Sequence, residues 1–381
     1  MSRMNIVQIS LDEDVFNKNA AQDSRARQIS YAKSLKNIND EYHLVNIVLT
    51  ENRKLQREEL DDVTFYPCNC YRLRHIVSLV LFLKNIHKKN NIVILTTQDF
   101  HGIFWGAVLF SRFDKVPVIG QIHYDLSSLY ARNEWFLDPY GPLYERVALW
   151  LAKAFNGMRV VNSATKLYLE NSGYKNPVSV CPVLVTTYLE HKNETTNNWK
   201  HQGALRVLYV GRFVKFKNLD CWLETAQKAW SENSNIEFTL IGDGEERARI
   251  ENYCKVLAVS SRVQFIGALK PEQLVDWYSS ADVFLLTSIY EGFGRVIVEA
   301  MNYNVVPVSS NVAGPEDIIN HGVDGFLDEA DPERLAKRLI SLEENREMLE
   351  KMAHSAKVSV KEKYQPEKLK ENWLNFLLSF S

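Results

Sequence analysis

The sequence of 381 residues contains little glycine or proline and few cysteines. Its 16 Gly and 11 Pro fall below the usual shares, which excludes a collagen-like chain, and 46% hydrophobic residues exclude a disordered one. Five scattered cysteines show neither zinc-ligand spacing nor a disulfide framework, as is typical of a reducing compartment. The formal net charge of -2 excludes a strongly basic nucleic-acid binder, so we expect no nucleic-acid partner.

Membrane-spanning and export signals are also lacking. The longest apolar stretch, Ile76 to Leu83, is far shorter than the roughly 20 residues that span a bilayer. The first residues lack the apolar segment of a signal peptide. We therefore expect a cytoplasmic protein, and peripheral contact with the inner face of the membrane stays open.

Short β-branched runs alternate with helical patterns along the whole chain, which predicts an α/β fold with parallel sheets and crossover helices. At about 150 residues per domain, the length predicts two domains, or one large domain with an appendage. We expect two Rossmann-like, doubly wound domains that face each other across a cleft, the natural place for a two-substrate reaction. The expected parts are an acceptor-side domain (1–190), a polar linker (191–204), a donor-binding domain (205–365) and a C-terminal helix (366–381) that packs back on the first domain.

The strongest chemical signal is the stretch 288–301, which has the pattern of a strand end, a glycine-bearing loop and a helix. Gly292 and Gly294 let the backbone approach a ligand, and the helix that begins near Gly294 directs unpaired N–H groups at it, which favours phosphate. Glu291 and Glu299 are eight residues apart, too far to share a proton. We expect them to bind different parts of one long ligand.

A second signal follows the first strand of the second domain, where Arg212 and Lys217 leave the strand end. Anionic ligands collect at such ends. A glycine-bearing loop alone is more typical of a turn, and two basic residues alone are more typical of a solvated surface. Together, at matching strand ends of one domain, the two favour a diphosphate site.

The stretch from Leu205 to Leu327 resembles family 4 of the retaining glycosyltransferases, among the group 1 glycosyl transferases, whose fold is GT-B. The resemblance implies that Arg212 and Lys217 bind the donor diphosphate, that Glu291 contacts sugar hydroxyls and that Glu299 holds the ribose. The remaining substrate-binding positions that it implies are Gly211, Gly242, Gly267, Gly292, Phe293 and Gly294.

The first half resembles the family more loosely. His123 follows a predicted strand, and although a lone histidine there is usually structural, the resemblance assigns it to the donor sugar. Many members have a glycine pair after the first strand, where this chain has the polar stretch 11–25. Aromatic residues after His123 either line an acceptor cleft or pack beneath a long loop: Tyr124, Tyr130, Trp135, Phe136 and Tyr140.

The sequence Asp12-Glu-Asp14 has the Asp-x-Asp form with which other glycosyltransferases hold a divalent metal. Because Arg212, Lys217 and a helix end already supply positive charge, we interpret this motif as a non-ligand. We expect a metal-independent enzyme without a resident cofactor, for which the nucleotide sugar is a co-substrate.

The segment Arg72 to Lys89 is basic and surrounds an apolar run, and no acidic residue occurs from Val63 to Gln98. Such a segment could dock on an anionic membrane that presents a lipid-linked acceptor. The preferred interpretation is a core helix that is buried on all sides and has solvated ends.

We predict a retaining glycosyltransferase that moves a hexose from a UDP-sugar or GDP-mannose to a hydroxyl of a glycan or lipid-linked acceptor, in cell-surface polysaccharide or glycolipid synthesis. The predicted catalytic residues are His123, Arg212, Lys217 and Glu291. An isomerase or epimerase acting on the nucleotide sugar, and a non-catalytic sugar-nucleotide binder, are the alternatives. A nicotinamide enzyme is disfavoured because no Gly-x-Gly-x-x-Gly follows a strand.

Overall fold

The computed structural model describes residues 3–16, 23–60, 62–69, 75–89, 91–99, 104–128, 141–185, 203–233 and 235–381. The chain divides into two compact units. The first consists of Met1–Thr186 with Pro366–Ser381, and the second of Thr187–Gln365.

The first unit is built on an eight-stranded sheet in the order β3-β4-β2-β1-β5-β6-β7-β8, parallel except where the short β3 pairs with β4. Buried β-branched and aliphatic residues fill the strands, as in sheets covered on both faces. The strands are β1 Met4–Ser10, β2 Tyr42–Leu49, β3 Glu58–Glu59, β4 Val63–Cys68, β5 Asn91–Thr97, β6 Val118–Ile122, β7 Gly157–Val160 and β8 Val178–Val180.

The helices of the first unit connect these strands, and α1 contacts both β2 and the C-terminal helix α13. They are α1 Asp23–Ile38, α2 Ile76–Lys89, α3 Trp105–Asp114, α4 Gly141–Ala152, α5 Ser163–Asn171 and α13 Pro366–Leu378. Trp373 and Leu377 of α13 are buried, and the Arg159 guanidinium of β7 lies 4.6 Å from the Trp373 ring centre. The last helix is therefore part of the first unit's core.

The second unit has a six-stranded, fully parallel sheet in the order β11-β10-β9-β12-β13-β14. Its strands are β9 Leu205–Val210, β10 Ile236–Ile241, β11 Val263–Gly267, β12 Val283–Leu286, β13 Val306–Ser310 and β14 Phe326–Asp328. Its helices are α6 Leu219–Glu232, α7 Arg247–Val256, α8 Pro271–Ser280, α9 Arg295–Asn302, α10 Ala313–Ile318, α11 Pro332–Glu344 and α12 Arg346–Lys363.

The predicted α/β class with two Rossmann-like parallel-sheet domains is confirmed. The expectation that the helix at Ile76 is buried on all sides is wrong. In α2, Leu79 and Leu83 are fully buried, whereas Val77 and Leu81 are 66% and 63% exposed. The helix packs against α3 and β5 on one side, so its apolar run divides between a core face and a solvent face.

None of the helices among the described residues is long and apolar enough to span a bilayer.

Candidate functional site

The loops that follow β9 and β12 in the second unit are joined by hydrogen bonds. The two strands are neighbours in the sheet, so both loops leave the same edge. The Ile289 amide donates to the Phe216 carbonyl at 2.9 Å, and the Thr287 hydroxyl donates to the Asn218 carbonyl at 2.9 Å. Backbone and side-chain bonds thus fix the short helical turn Lys215–Lys217 against the start of the glycine-bearing loop.

The central contact of this site is an ion pair between Lys217 and Glu291. The Lys217 Nζ lies 2.5 Å from Glu291 Oε2, and the side chains are only 13% and 15% exposed. The structure therefore brings together two residues that the sequence assigned to different parts of a ligand. The ion pair holds the Lys217 ammonium group next to the Glu291 carboxylate, close to the ends of β9 and β12.

Arg212 follows β9 at the same edge of the sheet, and it is exposed. Its carbonyl accepts a hydrogen bond from the Tyr209 hydroxyl at 3.1 Å, and Tyr209 is fully buried. Burial and the nearby Glu291 charge raise the pKa of Tyr209 far above its usual value, so its hydroxyl keeps its proton and stays a donor. Within the described part of the chain the Arg212 guanidinium has no ion pair, which leaves it able to bind an anion.

Glycines allow three strand-end loops to meet closely. Gly242 has φ +148°, and a Cβ there would lie 1.8 Å from the Gly211 carbonyl oxygen. Its amide donates to the Gly267 carbonyl at 2.9 Å. The close packing of the loops therefore explains why glycine occurs at these positions, without any contribution from a ligand. Their predicted substrate contacts stay predictions.

The helix α9 begins beside Glu291. Gly294 precedes it with φ +92°, the left-handed conformation that glycine adopts without strain. Phe293 is 6% exposed, and its ring centre lies 5.6 Å from that of Tyr364, so its side chain packs in the core and its predicted substrate contact stays a prediction. The Gly314 amide donates to the Glu291 carbonyl at 3.2 Å and supports the loop from the neighbouring strand end. The N-terminus of α9, with the positive end of its helix dipole, thus lies next to the Lys217–Glu291 pair.

Glu299, on α9, is 2% exposed. The Tyr278 hydroxyl donates to its Oε2 at 3.0 Å, and the Arg295 Nε lies 3.1 Å from its Oε1. A buried carboxylate is stable when it is paired and hydrogen-bonded in this way. Tyr303 stacks on Tyr278, and burial together with the Glu299 charge raises the pKa of Tyr303 to about 12.

Sequence reasoning missed Tyr209, Tyr278 and Arg295. Arg295 is the one that spacing could have identified, because it precedes Glu299 by four residues on a predicted helix. The tyrosines come from β9 and α8, and only the folded chain brings them to these positions.

His123 follows β6 in the first unit and is half-buried. Burial and the positive charges of Arg159 and Arg27 lower its pKa from 6.5 to about 3. The imidazole is therefore neutral near pH 7 and can accept or donate a hydrogen bond, but it supplies no positive charge there.

Other predicted residues of the first unit divide into two groups. Tyr124 is buried in the core, whereas Arg72, Arg74, Tyr130, Trp135, Phe136 and Tyr140 lie outside the described residues. The Asp12 carboxylate accepts a hydrogen bond from the Asp14 amide at 3.2 Å. Among the residues with described positions, no three His, Cys, Asp or Glu side chains come together as metal ligands.

Residues 192–359 match the family described as "Glycosyl transferases group 1". This stretch lies within the second unit. The second unit, with its cations, buried carboxylate and helix N-terminus at one sheet edge, is thus similar to a group 1 glycosyl transferase domain.

Individual relatives include a named glycosyltransferase and a polysaccharide biosynthesis protein. The chain is 26% identical over 306 residues to a 2-deoxystreptamine N-acetyl-D-glucosaminyltransferase of Niallia circulans, with 77% of each chain covered. It is 32% identical over 225 residues to the Vi polysaccharide biosynthesis protein VipC/TviE of Salmonella typhi, with 55% of this chain and 39% of that one covered. The chain also spans only about two fifths of two further relatives, 43% and 42% of their lengths.

A solved structure shares the fold over nearly the whole chain. HepE of Anabaena, crystallised with UDP, has a TM-score of 0.76 at 16% identity, with 99% of this chain and 100% of that one covered. At this identity the likeness shows the fold alone.

Proposed function

We propose that the protein is a retaining glycosyltransferase of the group 1 type that takes a hexose from a nucleotide diphosphate sugar. The observation that carries the proposal is the gathering of Arg212, Lys217 and the N-terminus of α9 at one edge of the second sheet, within a stretch that matches the group 1 family. The name of the relative from Niallia circulans supports the same reaction class.

The reaction needs stabilisation of a leaving diphosphate. Arg212, Lys217 and the amides at Gly294 neutralise the charge that develops as the bond between the anomeric carbon and the phosphate oxygen breaks. The acceptor oxygen then bonds to the anomeric carbon on the same face. Its proton passes to a donor phosphate oxygen, so no enzyme nucleophile is required. Glu291 and the neutral His123 orient sugar hydroxyls, and Glu299 binds the ribose.

In this scheme Lys217 exchanges part of its contact with Glu291 for the diphosphate. The Glu291 carboxylate is then released to accept hydrogen bonds from sugar hydroxyls. The ion pair holds both side chains close to their working positions, which lowers the entropy cost of binding.

We further propose that the transfer is independent of a divalent metal, because two cationic side chains and a helix end supply the positive charge. Activity in excess chelator tests this point. If chelation abolishes activity and manganese or magnesium restores it, Asp12 and Asp14 become candidate metal ligands again.

The reaction class is tested by incubating the protein with UDP-sugars and GDP-mannose, with and without glycan and lipid-linked acceptors. Release of nucleotide diphosphate only when an acceptor is present supports transfer and excludes an isomerase. Retention is read from the anomeric configuration of the product by NMR. An altered nucleotide sugar without acceptor, or binding without any conversion, would contradict the proposal.

The acceptor pathway that we propose is cell-surface polysaccharide or glycolipid synthesis at the cytoplasmic face of a membrane. The described surface of α2 and α3 supports contact with anionic lipid. Val77 and Leu81 of α2 and Phe113 of α3 are each more than 60% exposed, and Lys84 lies over the Phe113 ring at 5.1 Å. Further exposed residues of this α2/α3 surface are Lys88, Lys89, Leu109, Arg112 and Lys115. Lys84 also forms an ion pair with Asp114 at 3.9 Å, so the rim is mainly but not wholly basic. An apolar centre with a mainly basic rim is the chemistry that an anionic bilayer surface binds.

A further inference from the structure

The first unit contains a polar cavity of about 250 Å³ at the carboxyl ends of β1, β5 and β6. Its lining includes Ser10, Asp12, Arg27, Gln28, His123 and Arg159. Ligands of open parallel sheets bind at this edge. The volume is below the roughly 300 to 1,000 Å³ of pockets for drug-sized ligands, so the cavity fits one small polar unit.

Two polar atoms in the cavity wall are left without a hydrogen bond. Ser10 is 2% exposed, and its Oγ is buried without a partner among the residues that the structure describes. The Gln28 Oε1 is buried and unpartnered in the same way. Buried polar atoms are nearly always bonded in native proteins, so these two atoms point to a polar ligand.

The cavity also contains a buried cation. Arg159 is 3% exposed, and its guanidinium donates to the Cys181 carbonyl at 2.9 Å, the Gln121 side-chain oxygen at 3.0 Å and the Pro182 carbonyl at 2.9 Å. All three hydrogen-bond partners are neutral, and the Trp373 ring, 4.6 Å from the guanidinium, adds a cation–π contact. A buried charge is costly unless an opposite charge compensates it, and no described carboxylate forms an ion pair with Arg159.

The other titratable groups of the cavity wall leave its net charge positive. Arg27 adds a second cation, Asp12 contributes the single carboxylate of the wall as described, and the His123 imidazole is neutral near pH 7. Both arginines act electrostatically on His123, which places their charges near the same imidazole. The described wall therefore carries a net positive charge beside a group that can bond a hydroxyl.

We propose that this cavity binds the acceptor, and that the acceptor unit carries hydroxyl groups and one anionic group, a carboxylate or a phosphate, that faces Arg27 and Arg159. The inference rests on the proposed transfer to a hydroxyl and adds the chemical class of the molecule that receives the sugar. Ser10 and Gln28 bond its hydroxyls, while His123 keeps its proposed contact with the donor sugar.

The experiment measures binding of three small probes to the full chain by calorimetry at millimolar concentrations: glucuronate, glucose 6-phosphate and glucose. An anionic probe that binds at least about tenfold more tightly than glucose supports the proposal, as expected for charge-assisted hydrogen bonds. The preferred probe identifies the anion. Equal binding of all three probes, or no binding of any, overturns the proposal.

Variants locate the binding. Arg27→Gln should remove most of the preference for the anionic probe, whereas Lys33→Gln, at an exposed position on the same helix, should leave it unchanged. Ser10→Ala should weaken all three probes alike without lowering the melting temperature, because the lost hydroxyl has no partner in the described protein. Equal effects of Arg27→Gln and Lys33→Gln, or unchanged affinity in Ser10→Ala, contradict the assignment.

A final arm separates this inference from the proposed function. The titration is repeated in saturating UDP or GDP, whose own binding is measured first. If nucleotide binds and the probe still binds, the cavity is a separate acceptor site. If nucleotide displaces the probe, the cavity belongs to the donor and the inference is wrong. Absence of nucleotide binding would instead count against the proposed function, whatever the probe does.

Discussion

At the residue scale, the two glutamates of the glycine-bearing loop and helix have different surroundings. Glu291 is near the surface and forms an ion pair with Lys217, while Glu299 is buried between Tyr278 and Arg295. A partly accessible carboxylate can change partners during a reaction. A buried one keeps its position and serves as a fixed acceptor. The family resemblance implies different roles, sugar for Glu291 and ribose for Glu299, and this difference in surroundings is compatible with them.

The first prediction separates these roles. Glu299→Ala should weaken binding of the free nucleotide diphosphate by about 1.5 to 3 kcal/mol, because a carboxylate that accepts ribose hydroxyls is lost. Glu291→Ala, the matched variant in the same site, should mainly reduce turnover. Calorimetry with UDP and GDP measures the first effect and initial rates the second. Unchanged nucleotide affinity in a folded Glu299→Ala protein would show that the ribose assignment is wrong.

The second prediction concerns His123. Its pKa is about 3 in the folded protein and 6.5 when it is unperturbed, so the unfolded chain binds the proton more readily between these values. This residue should therefore make the protein less stable as pH falls from 6.5 towards 3, by at most about 1.4 kcal/mol per pH unit.

Replacing His123 by Asn should reduce the loss of folding stability that accompanies the fall in pH. Urea unfolding of both proteins at pH 7 and pH 5 measures the difference, and His354→Asn, at an exposed position, is the control. If the stability gap between parent and His123→Asn is the same at both pH values, the lowered pKa is contradicted.

Sequence reasoning predicted Arg212, Lys217, Glu291 and Glu299 as site residues from their positions near strand ends and glycines, and their ligand contacts stay predictions. It did not predict the Lys217–Glu291 ion pair. The two residues are 74 positions apart, and only the pairing of β9 with β12 brings their loops together. Tyr209 and Tyr278 were missed for the same reason, since a tyrosine in a strand or an amphipathic helix has the pattern of an ordinary core residue.

At the scale of elements, the helix pair α2 and α3 has one face in the core and one apolar face in solvent. The sequence predicted the helix and its basic ends. It could not predict which apolar residues are exposed, because a run of eight apolar residues has no polar position to mark the outer face. The sequence pattern does not mark the strand β4, because Val63–Cys68 contains Pro67, nor the strands β8 and β14, which are too short to show a periodicity.

The third prediction compares two leucines of α2. Leu79→Ala should lower the free energy of unfolding by about 2 to 5 kcal/mol, because Leu79 is fully buried. Leu81→Ala should change stability little, because Leu81 is 63% exposed. If the α2/α3 surface binds lipid, Leu81→Ala should instead weaken sedimentation with anionic vesicles. Equal stability losses in the two variants would contradict the described faces of the helix.

The positive charge of the α2/α3 surface provides a second test of vesicle binding. Neutralising Lys84, Lys88 and Lys89 together should weaken vesicle binding by roughly 3 kcal/mol, more than about a hundredfold, and salt should weaken it too. The control neutralises three exposed lysines of the second unit, Lys337, Lys361 and Lys363. Absence of vesicle binding by the parent protein at low salt would remove the membrane from the account.

The fourth prediction concerns the loops of the second sheet. Gly242→Ala should lower stability by at least about 1 to 3 kcal/mol, because the new Cβ would overlap the Gly211 carbonyl and φ is positive there. Gly203→Ala is the control, since a Cβ at that position meets nothing within 4 Å. Chemical denaturation measures both. A Gly242→Ala protein as stable as the parent would show that the two loops do not pack as described.

At the scale of the whole molecule, each unit gathers polar side chains at the carboxyl edge of a parallel sheet. The second unit presents cations, a carboxylate pair and a helix N-terminus, and the first presents His123 in a polar cavity. The alternation of strands and helices was enough to predict both sheets. The cavity was not predicted, because Ser10, Arg27, Gln121 and Arg159 come from separate strands and a helix and carry no joint spacing.

The central claim is that the edge of the second sheet binds a nucleotide diphosphate through Lys217 and its neighbours. Calorimetric titration of UDP and GDP into the parent protein and into Lys217→Gln tests it most directly, with Lys215→Gln on the same turn as the control. We predict that the parent binds one nucleotide and that Lys217→Gln loses about 1.5 to 3 kcal/mol of affinity, roughly tenfold to a hundredfold, while the control loses little. Binding of neither nucleotide, or equal affinity in parent and Lys217→Gln, would contradict the account.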